Sequence, residues 1–94
     1  MIIVLLTYKV PIEMIDSHRA AHVAWLREAL EAGTLLAAGR QVPLTGGMLL
    51  VRGDLAAAQA WTANDPFAIH DLADYSFTEA AVSLTAPGLE ALAG

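Results

Sequence analysis

The segment Ile2-Ile3-Val4-Leu5-Leu6-Thr7-Tyr8 constrains the fold of this chain more than any other. As a strand over residues 2–8 it sends Ile2, Val4, Leu6 and Tyr8 to one face and Ile3, Leu5 and Thr7 to the other. Both faces are apolar, so such a strand has to be covered on both sides. A chain of 94 residues is one domain, residues 1–94, near the lower end of what folds around a single core. With 56% hydrophobic and 16% charged residues it carries more apolar material than one small core absorbs. Burial against a second copy is the simplest outlet, and the expectation is a homodimer or higher homo-oligomer.

The rest of the chain alternates between helical and extended signals. Pro11 suits the first turn of a helix running to about Ala32, with Gly33 as its stop. On a helical wheel Ile15, His22, Leu26 and Ala29 share one stripe, while Glu13, Ser17, Ala24, Glu28 and Glu31 lie opposite. Two extended runs follow, Thr34–Val42 and Met48–Arg52, joined by Pro43-Leu44-Thr45-Gly46-Gly47, which reads as a hairpin turn. Asp54 caps a second helix, Leu55 to about Asn64, with Leu55, Ala58, Trp61 and Thr62 inward. Asp65-Pro66 starts another short turn or helix extending as far as Leu72, and a last strand occupies about Tyr75 to Thr85. Pro87-Gly88 breaks that strand ahead of a short apolar tail, Leu89–Gly94.

The order β-α-β-β-α-β predicts an α+β, ferredoxin-like domain: a four-stranded antiparallel sheet with two helices on one face. The strands are apolar on both faces, so a second subunit's sheet is the natural cover for the open one. Two such sheets packed face to face make a dimeric α+β barrel.

Several function classes are disfavoured. The net charge is −5, and the five basic residues (Lys9, Arg19, Arg27, Arg40, Arg52) are scattered, so no phosphate-tracking patch forms and no nucleic-acid partner is expected. No apolar run approaches the length of a membrane span, and the apolar start lacks the basic region of a signal peptide, so a cytoplasmic protein without a membrane partner is expected. The absence of cysteine rules out disulfides, thiolate nucleophiles and cysteine-ligated zinc. There is no Gly-x-Ser-x-Gly elbow, P-loop or dinucleotide fingerprint, and no cofactor is expected.

What remains for chemistry is a small set of polar side chains. His22 sits on the inward helix stripe, where an imidazole needs hydrogen-bonding partners whether it packs structurally or transfers protons. Asp65, followed by Pro66, reads first as a helix cap, but a capping carboxylate has a second oxygen that can hold an imidazole N–H. Arg19, three residues before His22, is placed to bind an anionic group or to pair with a carboxylate. Tyr8, Arg40 and Trp61 are candidate wall residues, His70 a second acid–base group or substrate contact, and Trp25 and Phe67 packing residues. His18 and His22 have a spacing that can chelate a metal, with His70 and Asp71 as nominal further ligands, but no third ligand has matching spacing and no metal is expected.

Three segments, in order, resemble the YCII-related (YciI-like) family of the dimeric α+β barrel superfamily: Arg19-Ala20-Ala21-His22-Val23, Gly33-Thr34-Leu35-Leu36-Ala37-Ala38-Gly39, and Asp65-Pro66-Phe67. The likeness runs from about Ile2 to Phe77. It implies a site centred on His22 and Asp65 and a lyase- or isomerase-like role. The family resembles muconolactone isomerases in fold and includes a dehydrochlorinase of a hydroxylated chloroaromatic. This chain departs from the family pattern in three places. Arg40 follows Gly39 where proline is usual, Ala68-Ile69-His70-Asp71 replaces a glycine-containing stretch, and Glu79-Ala80-Ala81 replaces a Pro-aromatic end.

The resulting expectation is a small enzyme without a cofactor, in which His22 moves a proton, Asp65 orients it, and Arg19, Tyr8, Arg40 and His70 contact a small anionic or hydroxylated ring or lactone-like ligand. The alternatives are a non-catalytic small-ligand-binding module and an oligomeric accessory protein acting through its outer helical face.

Overall fold

The first strand, β1 (Ile2–Tyr8), lies inside the sheet, and its alternation is visible in burial: Ile2, Val4 and Leu6 are buried while Leu5 and Thr7 are exposed. The computed structural model describes residues 1–94. After β1 come α1 (Ile12–Ala32), β2 (Leu35–Arg40), β3 (Gly46–Val51), α2 (Leu55–Thr62), α3 (Pro66–Ile69) and β4 (Ala73–Glu79), with a 3-10 turn at Glu90–Ala93. The strands form one antiparallel sheet in the order β2-β3-β1-β4. This is the ferredoxin-like arrangement expected from the sequence.

Local chemistry sets the helix limits. Pro11 precedes α1, and Gly33 ends it in the left-handed conformation at φ 80°, its N–H returning to the last turn. Asp54 caps α2 by accepting from the Ala57 N–H at 2.8 Å. The stripe of α1 faces the sheet with Ile15 and Ala29 buried and His22 and Leu26 partly so. Ile2, Val4, Leu6, Leu49 and Val51 meet it from the sheet, and Ala58 and Phe67 close the core from α2 and α3.

Several boundaries differ from the sequence expectation. The last strand runs Ala73–Glu79 rather than from about Tyr75 to Thr85, because β4 pairs only with β1, from Tyr8↔Ala73 to Ile2↔Glu79. The Ala80 N–H still donates to the Met1 carbonyl, and the pairing of β4 with β1 ends there. The hairpin strands are also shifted: β2 stops at Arg40, with an irregularity between Leu35 and Ala37, and β3 starts at Gly46. Gly46 is therefore a strand residue rather than a turn residue. A Cβ there would lie 1.6 Å from the Leu6 carbonyl oxygen, so only glycine admits this approach of β3 to β1. Helix α2 ends at Thr62, short of Asn64, and α3 is a single turn closed by His70.

The helices cover the sheet face that carries Ile2, Val4 and Leu6. The opposite face presents Ile3 beside Leu50 and Leu5 beside Met48, with Ser76 and Thr78 from β4 alongside, and Leu5 in its middle is exposed.

Candidate active site

Asp65 anchors the site. It stands between α2 and α3, caps the latter, and is 0% exposed. A carboxylate so buried needs donors for both oxygens, and it has three. Oδ1 accepts from the Phe67 backbone N–H at 3.0 Å and lies 2.7 Å from Nδ1 of His22. Oδ2 accepts from the Tyr75 hydroxyl at 2.5 Å. The helix cap and the contact with His22 thus share one oxygen, whereas the sequence reading reserved a separate oxygen for the imidazole.

His22 reaches Asp65 from the middle of α1, and its ring lies flat against Phe67, with centroids 4.0 Å apart and an interplanar angle of 7°. Since Asp65 only accepts, a neutral His22 carries its proton on Nδ1, and Nε2 is an acceptor without a partner in the chain. The ring borders a cavity of about 150 Å³ whose walls include Tyr8, Arg19, Arg40, Leu49 and Phe67. A space of that size accommodates a benzene-sized ring. The arrangement can therefore accept a proton from, or return one to, a small ring compound while Asp65 holds the imidazole in one tautomer.

Four elements bring these groups together: β1 supplies Tyr8, α1 supplies Arg19 and His22, the end of β2 supplies Arg40, and α3 supplies Phe67. Tyr8, Arg19, His22, Asp65 and Arg40, all picked out from the sequence, thus converge. His70 does not. It closes α3 on the outer side, exposed, with its ring 4.2 Å from that of His18, so it makes no contact with the cavity. The cause is the shortness of α3, which turns Phe67 toward His22 and its last residue toward the preceding turn of α1. Trp61, a candidate wall residue, instead stacks on Trp25 at 4.0 Å away from the cavity.

Two residues were missed. Phe67, read as packing alone, both holds Asp65 through its N–H and stacks on His22. Tyr75 was read only as the start of a strand. The signal that could have found it is its inward register, opposite Leu6, beside a buried carboxylate; this becomes readable only once the pairing is known.

Burial, reinforced by the hydrogen bond to Asp65, holds the Tyr75 phenol well above the ordinary tyrosine range. Burial also raises Tyr8, against the opposing charges of Arg40 and Arg19. In the unfolded chain Tyr75 ionises near its ordinary value of 10.0, while the folded chain keeps the proton to higher pH. Its contribution to stability is accordingly intact below about pH 10 and drains away as pH rises beyond it. Tyr75→Phe should cost about 2 kcal/mol at neutral pH by leaving Oδ2 short of a donor. Thermal melts of the variant should also show a shallower loss of stability above about pH 10 than the wild type.

A ferredoxin-like α+β domain with a buried carboxylate–imidazole pair on a ring-sized cavity is the class that this fold and site define. Residues 1–80 match the model of the YCII-related domain, and the chain belongs to that family. No curated protein matches the chain. Among solved structures it is similar in fold to the 5-chloro-2-hydroxyhydroquinone dehydrochlorinase TftG from Burkholderia phenoliruptrix AC1100, in its complex with 2,5-dihydroxybenzoquinone. The TM-score is 0.68 at 21% sequence identity, over 84% of this chain and 92% of that one. No helix of the chain is long and apolar enough to cross a membrane.

Proposed function

We propose that this protein is an acid–base enzyme that needs no cofactor and carries out elimination or isomerisation on a small hydroxylated or anionic ring, or a lactone-like compound. The observation that carries the proposal is the single orientation of His22, a residue that lines the cavity: Nδ1 is tied to a fully buried carboxylate, and Nε2 has no partner in the chain. Nε2 takes a proton from a substrate C–H or O–H. In an elimination the freed electron pair forms the new double bond and the leaving group departs with its own pair. In an isomerisation the proton returns at a second carbon. Asp65 supports the imidazolium formed in either case, and its charge is itself held by the Phe67 N–H and the Tyr75 hydroxyl. The fold likeness to a dehydrochlorinase of a hydroxylated ring supports this substrate class.

A second copy of the chain, sheet against sheet, belongs to the same proposal, because Ile3, Leu5, Met48 and Leu50 form an apolar face on the side of the sheet away from the helices, with Leu5 exposed.

The test is turnover of chlorinated hydroxyhydroquinones and unsaturated lactones, followed by chloride release and by deuterium uptake from solvent. His22→Asn should lower the rate by about 10²–10⁴-fold, the usual contribution of one acid–base group. Equal turnover by the variant refutes the assignment. Saturable binding with no turnover across the panel replaces it with the reading of a non-catalytic ligand-binding module.

A further inference from the structure

Basic residues are scarce in this chain, and their distribution in space is uneven. Of the five, Lys9 pairs with Asp71 and Asp74, Arg52 approaches the carbonyl of Gly94, and Arg27 lies exposed on α1. The remaining two, Arg19 and Arg40, come from different elements and meet at one place. Both line the cavity beside His22, and both continue into an open groove outside it, bordered by Ile12, Asp16 and Leu44. Neither guanidinium makes a hydrogen bond or an ion pair within the chain, whose only ion pairs involve Lys9 and His22. Asp16 lies in the same groove without contacting either guanidinium within ion-pair distance. Both positive charges also act on the Tyr8 phenol, as do the opposing charges of Asp16 and Asp65.

Arg19 and Arg40 line one cavity with no carboxylate within ion-pair distance, and like charges gathered at one site repel. An anion between them removes that cost, and a planar carboxylate matches the guanidinium fork. We infer that the site takes a ring compound bearing a carboxylate arm, with the ring in the inner cavity against His22 and Phe67 and the carboxylate in the outer groove between Arg19 and Arg40. This rests on the location of the site proposed above but not on its chemistry. The inner cavity, about 150 Å³, matches the ring alone, so the acidic group extends into the outer groove that Arg19 and Arg40 also line. Arg40 would then be a specificity-determining residue peculiar to a chain with arginine after Gly39.

The test uses 4-hydroxyphenylacetate and its neutral isostere 4-hydroxyphenylacetamide, with binding measured by titration calorimetry on the full chain. The acid should bind about tenfold or more tightly than the amide, and its affinity should fall as sodium chloride is raised. Arg19→Gln and Arg40→Gln should each reduce that preference, and the double variant should abolish it. Asp16→Asn should strengthen binding of the acid. Both arginine side chains are exposed, and circular dichroism melts verify that the variants fold. Repeating the titration in His22→Asn separates the two proposals: a retained acid preference upholds the arginine subsite even where turnover is lost. Equal affinity for acid and amide, a preference that survives in the double variant, or no binding of the acid at about 10 mM each overturns the inference.

Discussion

Asp65→Ala is expected to destabilise the protein by about 3–5 kcal/mol, the loss associated with breaking one side of a buried charged cluster. The carboxylate is wholly buried and serves three donors, the Phe67 N–H, His22 Nδ1 and the Tyr75 hydroxyl, drawn from α3, α1 and β4. Alanine leaves all three without their acceptor where water has little access, and it also removes the cap of α3. For a small domain whose whole stability is about 5–15 kcal/mol, this would lower the melting temperature by tens of degrees or unfold the chain at ambient temperature. Asp65→Asn should cost distinctly less. Its carbonyl oxygen still serves Phe67 and His22, and its amide can donate to the Tyr75 oxygen once the phenol turns its proton away. Denaturant titration of both variants measures the difference. An alanine variant within about 1 kcal/mol of the wild type would show that the cluster contributes little to the fold.

Leu5→Glu is expected to weaken self-association by at least about a thousandfold in dissociation constant while leaving the monomer folded. Leu5 is 42% exposed in the single chain, flanked by Met48 on β3 and Ser76 on β4 in the middle of the sheet face away from the helices. In a symmetric sheet-to-sheet pair each substitution enters the interface twice, and both carboxylates lose their water without gaining partners. On the monomer surface the same residue remains solvated, so far-ultraviolet circular dichroism should be preserved. Sedimentation velocity on the wild type and variant decides the matter. A wild-type chain that sediments at its monomer mass of 9.9 kDa refutes the proposed pairing, as does a variant that associates as strongly as the wild type.

Much of the fold was legible in the sequence because it depends on short-range chemistry. The two-faced strand Ile2–Tyr8, the stop at Gly33 and the Asp54 cap follow from side-chain alternation, a left-handed glycine and a short polar acceptor. The end of β4 was not legible, because Ala80 and its successors have acceptable strand composition and differ from Glu79 only in having no further partner on β1. Gly46 was misread for a related reason. Paired glycines next to a proline signal a turn, and only the closeness of the Leu6 carbonyl reveals a strand that needs a residue without a side chain. In the site, His22 and Asp65 stood out because imidazole on an apolar stripe and Asp before Pro are local anomalies. Tyr75 and Phe67 looked like ordinary aromatic packing residues, and the proximity of His70 to the other candidates in sequence gave no indication of its outward direction.

The sequence by itself determined that this chain forms a two-faced strand, a long helix with an inward histidine, a hairpin and a carboxylate at a helix start. Each of these rests on periodicity or capping within a few residues. The tertiary structure alone decided which groups meet. It brought Asp65 to His22 across 43 positions, seated Tyr75 on the other carboxylate oxygen, turned His70 away, and drew Arg19 and Arg40 to one cavity mouth. These outcomes depend on strand register and on how α1 and α3 pack over the sheet, which are long-range properties that no local pattern encodes.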